Sequence, residues 1–183
     1  MKKTVASLLL MILTGMLSAC GLNNVRKLNS DASIDPDRSI IVYGINVEGK
    51  WDAPMFSVNL DEYDLKSQAI TGNCFRFNHT EAMVSSTNKG RHFSAFEVRP
   101  GHFVLSPFSN TNQSLSTTAF SAPRGKVVYI GTFVYDKDKI LHLQRDLDLV
   151  ATELKHQFPR IEQSIALAET VEVSRPTPFL CTP

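Results

Sequence analysis

Arg91-His-Phe-Ser-Ala-Phe-Glu-Val-Arg-Pro-Gly-His-Phe-Val-Leu-Ser106 contains two short runs of apolar and aromatic residues divided at Pro100-Gly101. Proline followed by glycine marks a tight turn, so residues 91–99 and 102–106 read as strands on either side of it. On this reading Arg99 faces His102 across the turn, and His92 lies far down the ladder.

The same grammar extends outward in both directions. Residues 40–47 (Ile-Ile-Val-Tyr-Gly-Ile-Asn-Val) form a branched run that ends at the turn Glu48-Gly49-Lys50. In residues 55–60, Phe56, Val58 and Leu60 alternate with Met55, Ser57 and Asn59, the period of a half-buried strand. Residues 74–78 repeat it with Phe75 and Phe77. Residues 108–117, rich in Ser, Asn and Thr, read as a loop. Strands are then expected at 118–122, 126–135 and 140–143, parted by Pro123-Arg124-Gly125 and by Asp136-Lys-Asp-Lys139. One helix is expected over 146–158, because Leu147, Val150, Ala151, Leu154 and Phe158 fall at intervals of three and four. Asp146 and Asp148 near its start and Lys155 and His156 near its end suit the helix dipole, and Pro159 stops it. Residues 161–169 are ambiguous, and 170–173 suit a last strand. The expected fold is mainly β, an antiparallel two-sheet sandwich with one amphipathic helix near the C-terminus.

The first twenty residues follow another logic. Lys2 and Lys3 precede an apolar run from Val5 to Met16, and small residues Ser18 and Ala19 follow. This is the layout of a secretory signal, too short for a spanning helix of roughly 20 residues. Leu17-Ser18-Ala19-Cys20 resembles the lipobox of bacterial lipoproteins. The resemblance implies that residues 1–19 are removed, with Leu17, Ser18, Ala19 and Gly21 recognised around the cut, and that Cys20 carries the lipid. Each buried methylene adds about 0.8 kcal/mol, so two or three acyl chains hold firmly where one is marginal. In enteric-type bacteria an aspartate after the cysteine resembles an inner-membrane retention signal. Gly21 stands there instead, which points to the outer membrane, facing the periplasm.

With Lys2 and Lys3 removed, 17 of the 19 Lys and Arg remain against 18 Asp and Glu. That balance argues against a nucleic-acid partner. Residues 20–38 are polar with no apolar period and read as a flexible tether, spanning about 20 to 25 Å. Residues 39–183 then form one domain. With Cys20 lipidated, Cys74 and Cys181 remain as a pair in an oxidising compartment, either joined as a disulfide or free. A bond between them closes a loop worth about 4 to 5 kcal/mol in the chain-entropy model.

A second resemblance rests on Phe96-Glu-Val-Arg-Pro-Gly-His-Phe-Val-Leu105 and Phe120-Ser-Ala-Pro-Arg-Gly-Lys-Val-Val-Tyr-Ile-Gly131. The pair is similar to one found in uncharacterised envelope lipoproteins with a transthyretin-like or carboxypeptidase-regulatory-like β-sandwich. It implies a fold and carries no catalytic residues.

No nucleophile elbow, phosphate loop, zinc-protease histidine pair or calcium loop occurs. His79, His92, His102, His142 and His156 are scattered without metal spacing, so no metal, cofactor or catalytic residue is assigned. Trp51 is either an exposed binding anchor or packed at the edge of the sandwich. The expected function is a lipid-anchored, non-enzymatic envelope module held to the membrane through Cys20, with another envelope protein as its partner. The alternatives are a carrier of a small apolar ligand and a hydrolase without a recognisable motif.

Overall fold

Pro100-Gly101 does not close a hairpin. In the computed structural model, which describes residues 22–30, 35–73, 75–107, 117–138, 140–161 and 165–177, it carries the chain from one sheet into another. The first sheet holds β2 (Arg26–Leu28), β3 (Ser39–Val47), β9 (Arg91–Val98), β12 (Val127–Tyr135), β13 (Leu141–Gln144) and β14 (Ala166–Leu167). Its order is β13-β12-β3-β9-β2, with β14 also on β12. The second holds β4 (Met55–Asp64), β5 (Ala69–Ile70), β8 (His79–Ser85), β10 (Gly101–Leu105), β11 (Thr118–Ala122) and β15 (Thr170–Glu172). It runs β15-β11-β10-β4, and the far edge of β4 takes both β8 and β5. A small third sheet joins β1 (Leu22–Asn23), β7 (Arg76–Phe77) and β6 (Gly72–Asn73). The mainly β, two-sheet architecture with a C-terminal helix is therefore present, with the run 91–106 split between its sheets.

One central pair departs from the expected antiparallel plan. β3 and β12 run parallel, from Ile40 opposite Val127 to Val47 opposite Tyr135. Parallel neighbours need a long crossover, and here that crossover contains most of the second sheet. β3 is buried along nearly its whole length because it is covered on both faces. Ile41, Tyr43 and Ile45 face the second sheet, while Ile40 and Val42 face the helix.

Between the sheets, these side chains meet Phe56, Val58 and Leu60 of β4, Phe103 and Leu105 of β10, and Phe120 of β11. The Tyr43 ring stacks on Phe96 at 5.4 Å and meets Phe133 edge-on at 5.9 Å. Its hydroxyl donates to the Val58 carbonyl at 3.0 Å and lies 3.0 Å from Thr80 Oγ1, tying the first sheet to the second. A register shift between Tyr129 and Gly131 turns β12 by one residue. Val128 before it, Ile130 within it and Phe133 after it can thus all face the inter-sheet core.

Helix α1 (Leu147–Gln157) covers the outer face of the first sheet. Asp146 caps it by accepting the Leu149 N–H at 3.1 Å. Val150, Leu154 and Phe158 pack on Ile40, Val42, Ala95, Val127 and Tyr129. Ala151, expected in the apolar stripe, is exposed instead. The turn at Asp136 is held by its own Oδ1, which accepts the N–H groups of Asp138 and Ile140 at 2.9 Å. That carboxylate closes a turn between β12 and β13.

The flexible tether expected over 20–38 requires correction over the described residues 22–28. Leu22–Asn23 pairs with β7, and Arg26–Leu28 forms the edge of the first sheet against β9. Asn23 clamps β8, its amide donating to the His79 carbonyl at 2.7 Å and its Oδ1 accepting the His79 N–H at 3.1 Å. Glu97, nearly buried, takes Arg26 at 2.8 Å and Arg38 at 3.8 Å, and Arg38 donates to the Asn24 carbonyl at 2.7 Å. Leu28 is buried in the helix-side core. The segment reads as a linker because, among its described residues, Leu28 is buried and Val25 half-buried with no apolar period between them, while its polar side chains bond to neighbouring strands.

Candidate functional site

Two regions of the folded chain gather polar chemistry that the sequence did not. The first is a groove on the helix side. β2 ends at Leu28, the chain continues through Asn29 and Ser30, and α1 lies across the neighbouring β9. Between them lie two adjoining open clefts of about 760 and 620 Å³, which share Ser30, Phe93 and Gln157 in their walls. Phe93 forms an apolar floor with Leu28 and Phe158. Lys27 stands at one end, and Arg91, Glu153 and His156 line the other.

The groove's geometry is fixed by bonds between helix and strand. Gln157 donates to the Phe93 carbonyl at 2.9 Å. Arg91 grips Glu153 with two nitrogens, Nε donating to Oε2 at 3.2 Å and a second nitrogen to Oε1. Each ion favours the other's charged form: the hydrogen bond from Arg91 holds the Glu153 carboxyl below its usual range, and Glu153 raises Arg91. The wall of the groove is thus a fixed ion pair over an aromatic floor, a surface suited to a polar chain with apolar side groups.

The second region lies where β4 and β8 pair. The register sets Asp61 opposite His79, and His79 Nδ1 stands 2.7 Å from Asp61 Oδ1. On the neighbouring positions, Glu62 accepts from Thr71 Oγ1 at 2.9 Å and from the Asn78 amide. Among the described residues, Asn59 Oδ1, Asp61 Oδ2 and Asn78 Oδ1 are buried without a hydrogen-bond partner, so this polar end of the sheet holds acceptors in surplus.

The hydrogen bond to Asp61 raises the His79 pKa above its ordinary value, and partial burial opposes it only in part. A histidine whose folded pKa is raised stabilises the fold below its unfolded pKa of about 6.5, and that contribution is lost as pH rises through the folded value. The denaturant midpoint of unfolding is therefore expected to decrease as the pH is raised above about 6.5. His79→Gln should flatten that slope, and an unchanged slope in titrated denaturation curves would refute the assignment.

Of the residues singled out from the sequence, Leu17, Ser18, Ala19, Cys20, Gly21, Cys74 and Cys181 lie outside the described residues. Trp51 is packed at the rim of the inter-sheet core. It meets Phe56 at 4.9 Å and Tyr135 at 5.9 Å, both edge-on, and its indole N–H donates to the Glu48 carbonyl at 2.8 Å. Tyr135 donates to the Ser57 carbonyl at 2.8 Å, and burial pushes its pKa up to about 12. His92 and His102, expected on one ladder, stand on different sheets.

Among the described residues no group of three His, Cys, Asp or Glu is placed to hold a metal ion. None of the helices described there is long and apolar enough to cross a membrane. Sequence reasoning missed the Asp61–His79 pair because 18 residues separate its members. Only the register of β4 on β8 unites them. The groove was hidden because the segment that closes it reads as a linker. No family model, curated protein or solved structure matches the chain.

Proposed function

We propose that this chain is a bacterial envelope lipoprotein, anchored through lipid on Cys20 in the outer membrane and facing the periplasm. Its sandwich is a non-enzymatic module that binds or positions another envelope protein in the groove beside α1. The observation that carries the reading is that the groove wall includes Lys27, Leu28, Asn29 and Ser30. These residues begin seven positions after Cys20, on a segment paired into the sheets through β1 and β2, so the surface that would take the partner is held close to the residue that would take the lipid.

The carrier alternative needs an apolar cavity between the sheets. Among the described residues that space is filled by Tyr43, Phe103, Phe120 and Phe133, each at most 2% exposed. The reading is tested by placing a photo-crosslinking side chain at Thr152 in the groove and, as a control, at Met83 on the far sheet. A specific adduct is expected from position 152 in intact cells, lost or strongly reduced when Cys20→Ala releases the protein from the membrane. Adducts from position 83 alone would overturn the groove assignment. A Cys20→Ala protein that still pellets with membranes would overturn the anchor.

A further inference from the structure

The small third sheet displays large apolar side chains that neither core uses. Phe75, in the turn between β6 and β7, is 66% exposed, and Leu22 is 59% exposed. They are neighbours, since the Leu22 N–H donates to the Phe75 carbonyl at 2.6 Å. Arg76, also exposed, follows Phe75. The turn is built to hold its shape: Asn73 Oδ1 accepts the N–H groups of Phe75 and Arg76 at 2.9 and 3.0 Å. β1 is clamped in turn by Asn23 on β8.

Only Gly21 stands between Leu22 and Cys20. The Cα of Cys20 is therefore within about 7 Å of that of Leu22, the reach of two extended residues. We propose that the tip bearing Leu22 and Phe75 is seated in the interfacial layer of a lipid bilayer, so that the body is held in one orientation. This rests on the anchor reading above. The chemistry fits the occupant. Aromatic rings favour the depth of the headgroups, and a neighbouring cation such as Arg76 is drawn to anionic lipid. With the acyl chains so close, inserting the tip is in effect intramolecular, so two side chains suffice where they would not hold a free protein.

The seating has a direction. The β6–β7 hairpin that bears Phe75 leaves the edge of β4 at Glu62, where the Thr71 N–H donates to the Glu62 carbonyl and the Glu62 N–H to the Asn78 carbonyl. That point is six residues or about 20 Å along the strand from Phe56, which packs under Trp51. Trp51 should then stand clear of the bilayer.

The test uses acylated protein in phosphatidylethanolamine–phosphatidylglycerol vesicles whose acyl chains carry bromine, a short-range quencher of tryptophan. Phe75→Trp is expected to add a blue-shifted emission that the brominated lipid quenches. The wild-type emission, from Trp51 alone, should be unchanged. A Phe75→Trp signal that is solvent-like and unquenched, on protein that sediments with the vesicles and carries acyl chains by mass, would overturn the seating and leave the anchor standing. Quenching of Trp51 to the same degree would overturn the orientation. Protein with an unmodified Cys20 that stays in the supernatant would remove the anchor reading and the seating together.

Discussion

Tyr43→Ala is expected to lose about 3 to 5 kcal/mol of stability, the cost of emptying a large buried aromatic site. Tyr43→Phe should lose only about 1 to 2 kcal/mol, the cost of leaving buried partners unpaired. The difference separates two jobs of one side chain. The ring stacks on Phe96 and meets Phe133 edge-on, so its removal opens a void at the centre of the first sheet's inner face. The hydroxyl reaches across to Val58 and Thr80 of the second sheet. Burial pushes the hydroxyl's pKa upward, which keeps it neutral and able to donate. Against a total stability of about 5 to 15 kcal/mol, the alanine variant should unfold at a much lower denaturant concentration. Equal midpoints for the alanine and phenylalanine variants would show that the ring is not a keystone of the interior.

Gly131→Ala should cost about 3 kcal/mol or more, from two sources that add. Gly131 has φ +146°, a conformation that a side chain strains by about 1 to 3 kcal/mol. A methyl there would also lie 2.6 Å from Leu143 Cδ1 and 2.8 Å from the Gln144 carbonyl oxygen. The leucine tip can rotate away, but the carbonyl belongs to the backbone of β13. Overpacking of this kind typically costs about 1 to 3 kcal/mol more. Gly90 provides the comparison, because its φ is +80° and, among the described residues, nothing lies within 4 Å of where a Cβ would stand. Gly90→Ala should therefore show the conformational cost alone. For a chain of this length the Gly131 variant should melt about 6 to 12 °C lower. Matching melting temperatures for the two variants would show that β13 yields and the crowding is harmless.

The consequence reaches past stability. The irregularity in β12 lets Phe133 point between the sheets after Val128 and Ile130 have done so. A one-residue slip would turn Phe133 toward the helix face. Tyr-Ile-Gly131 is legible in the sequence as part of a strand, but alternation alone gives no sign that the strand changes phase there.

The helix was the most readable element, because its stripe, its dipole-matched charges and Pro159 point to the same span, and the structure places it at Leu147–Gln157. Many of the longer strands were readable for a related reason, since β-branched and aromatic residues between turn signals report burial on a pleated surface. The strand expected over 74–78, however, is broken by a turn at an exposed Phe75, and β8 (His79–Ser85) was not expected. Their partners were not readable. Pro100-Gly101 bends the chain equally well into a hairpin or across to another sheet, and nothing in those two residues distinguishes the outcomes. The neighbours of β9 are instead β3, 45 to 59 residues upstream by register, and β2.

The sequence by itself determined many of the local states of this chain: where several of its longer strands extend, where it coils into a helix, and that its first twenty residues resemble a lipoprotein leader. Those follow from side-chain shape and periodicity, which act over a few residues. Tertiary structure alone decided that β3 and β12 run parallel, that Asp61 meets His79, and that Leu22 to Leu28 belong to the sheets. Pairing between distant strands depends on backbone groups that every residue carries alike, so it is chosen by the packing of whole sheets and leaves little mark on any one segment.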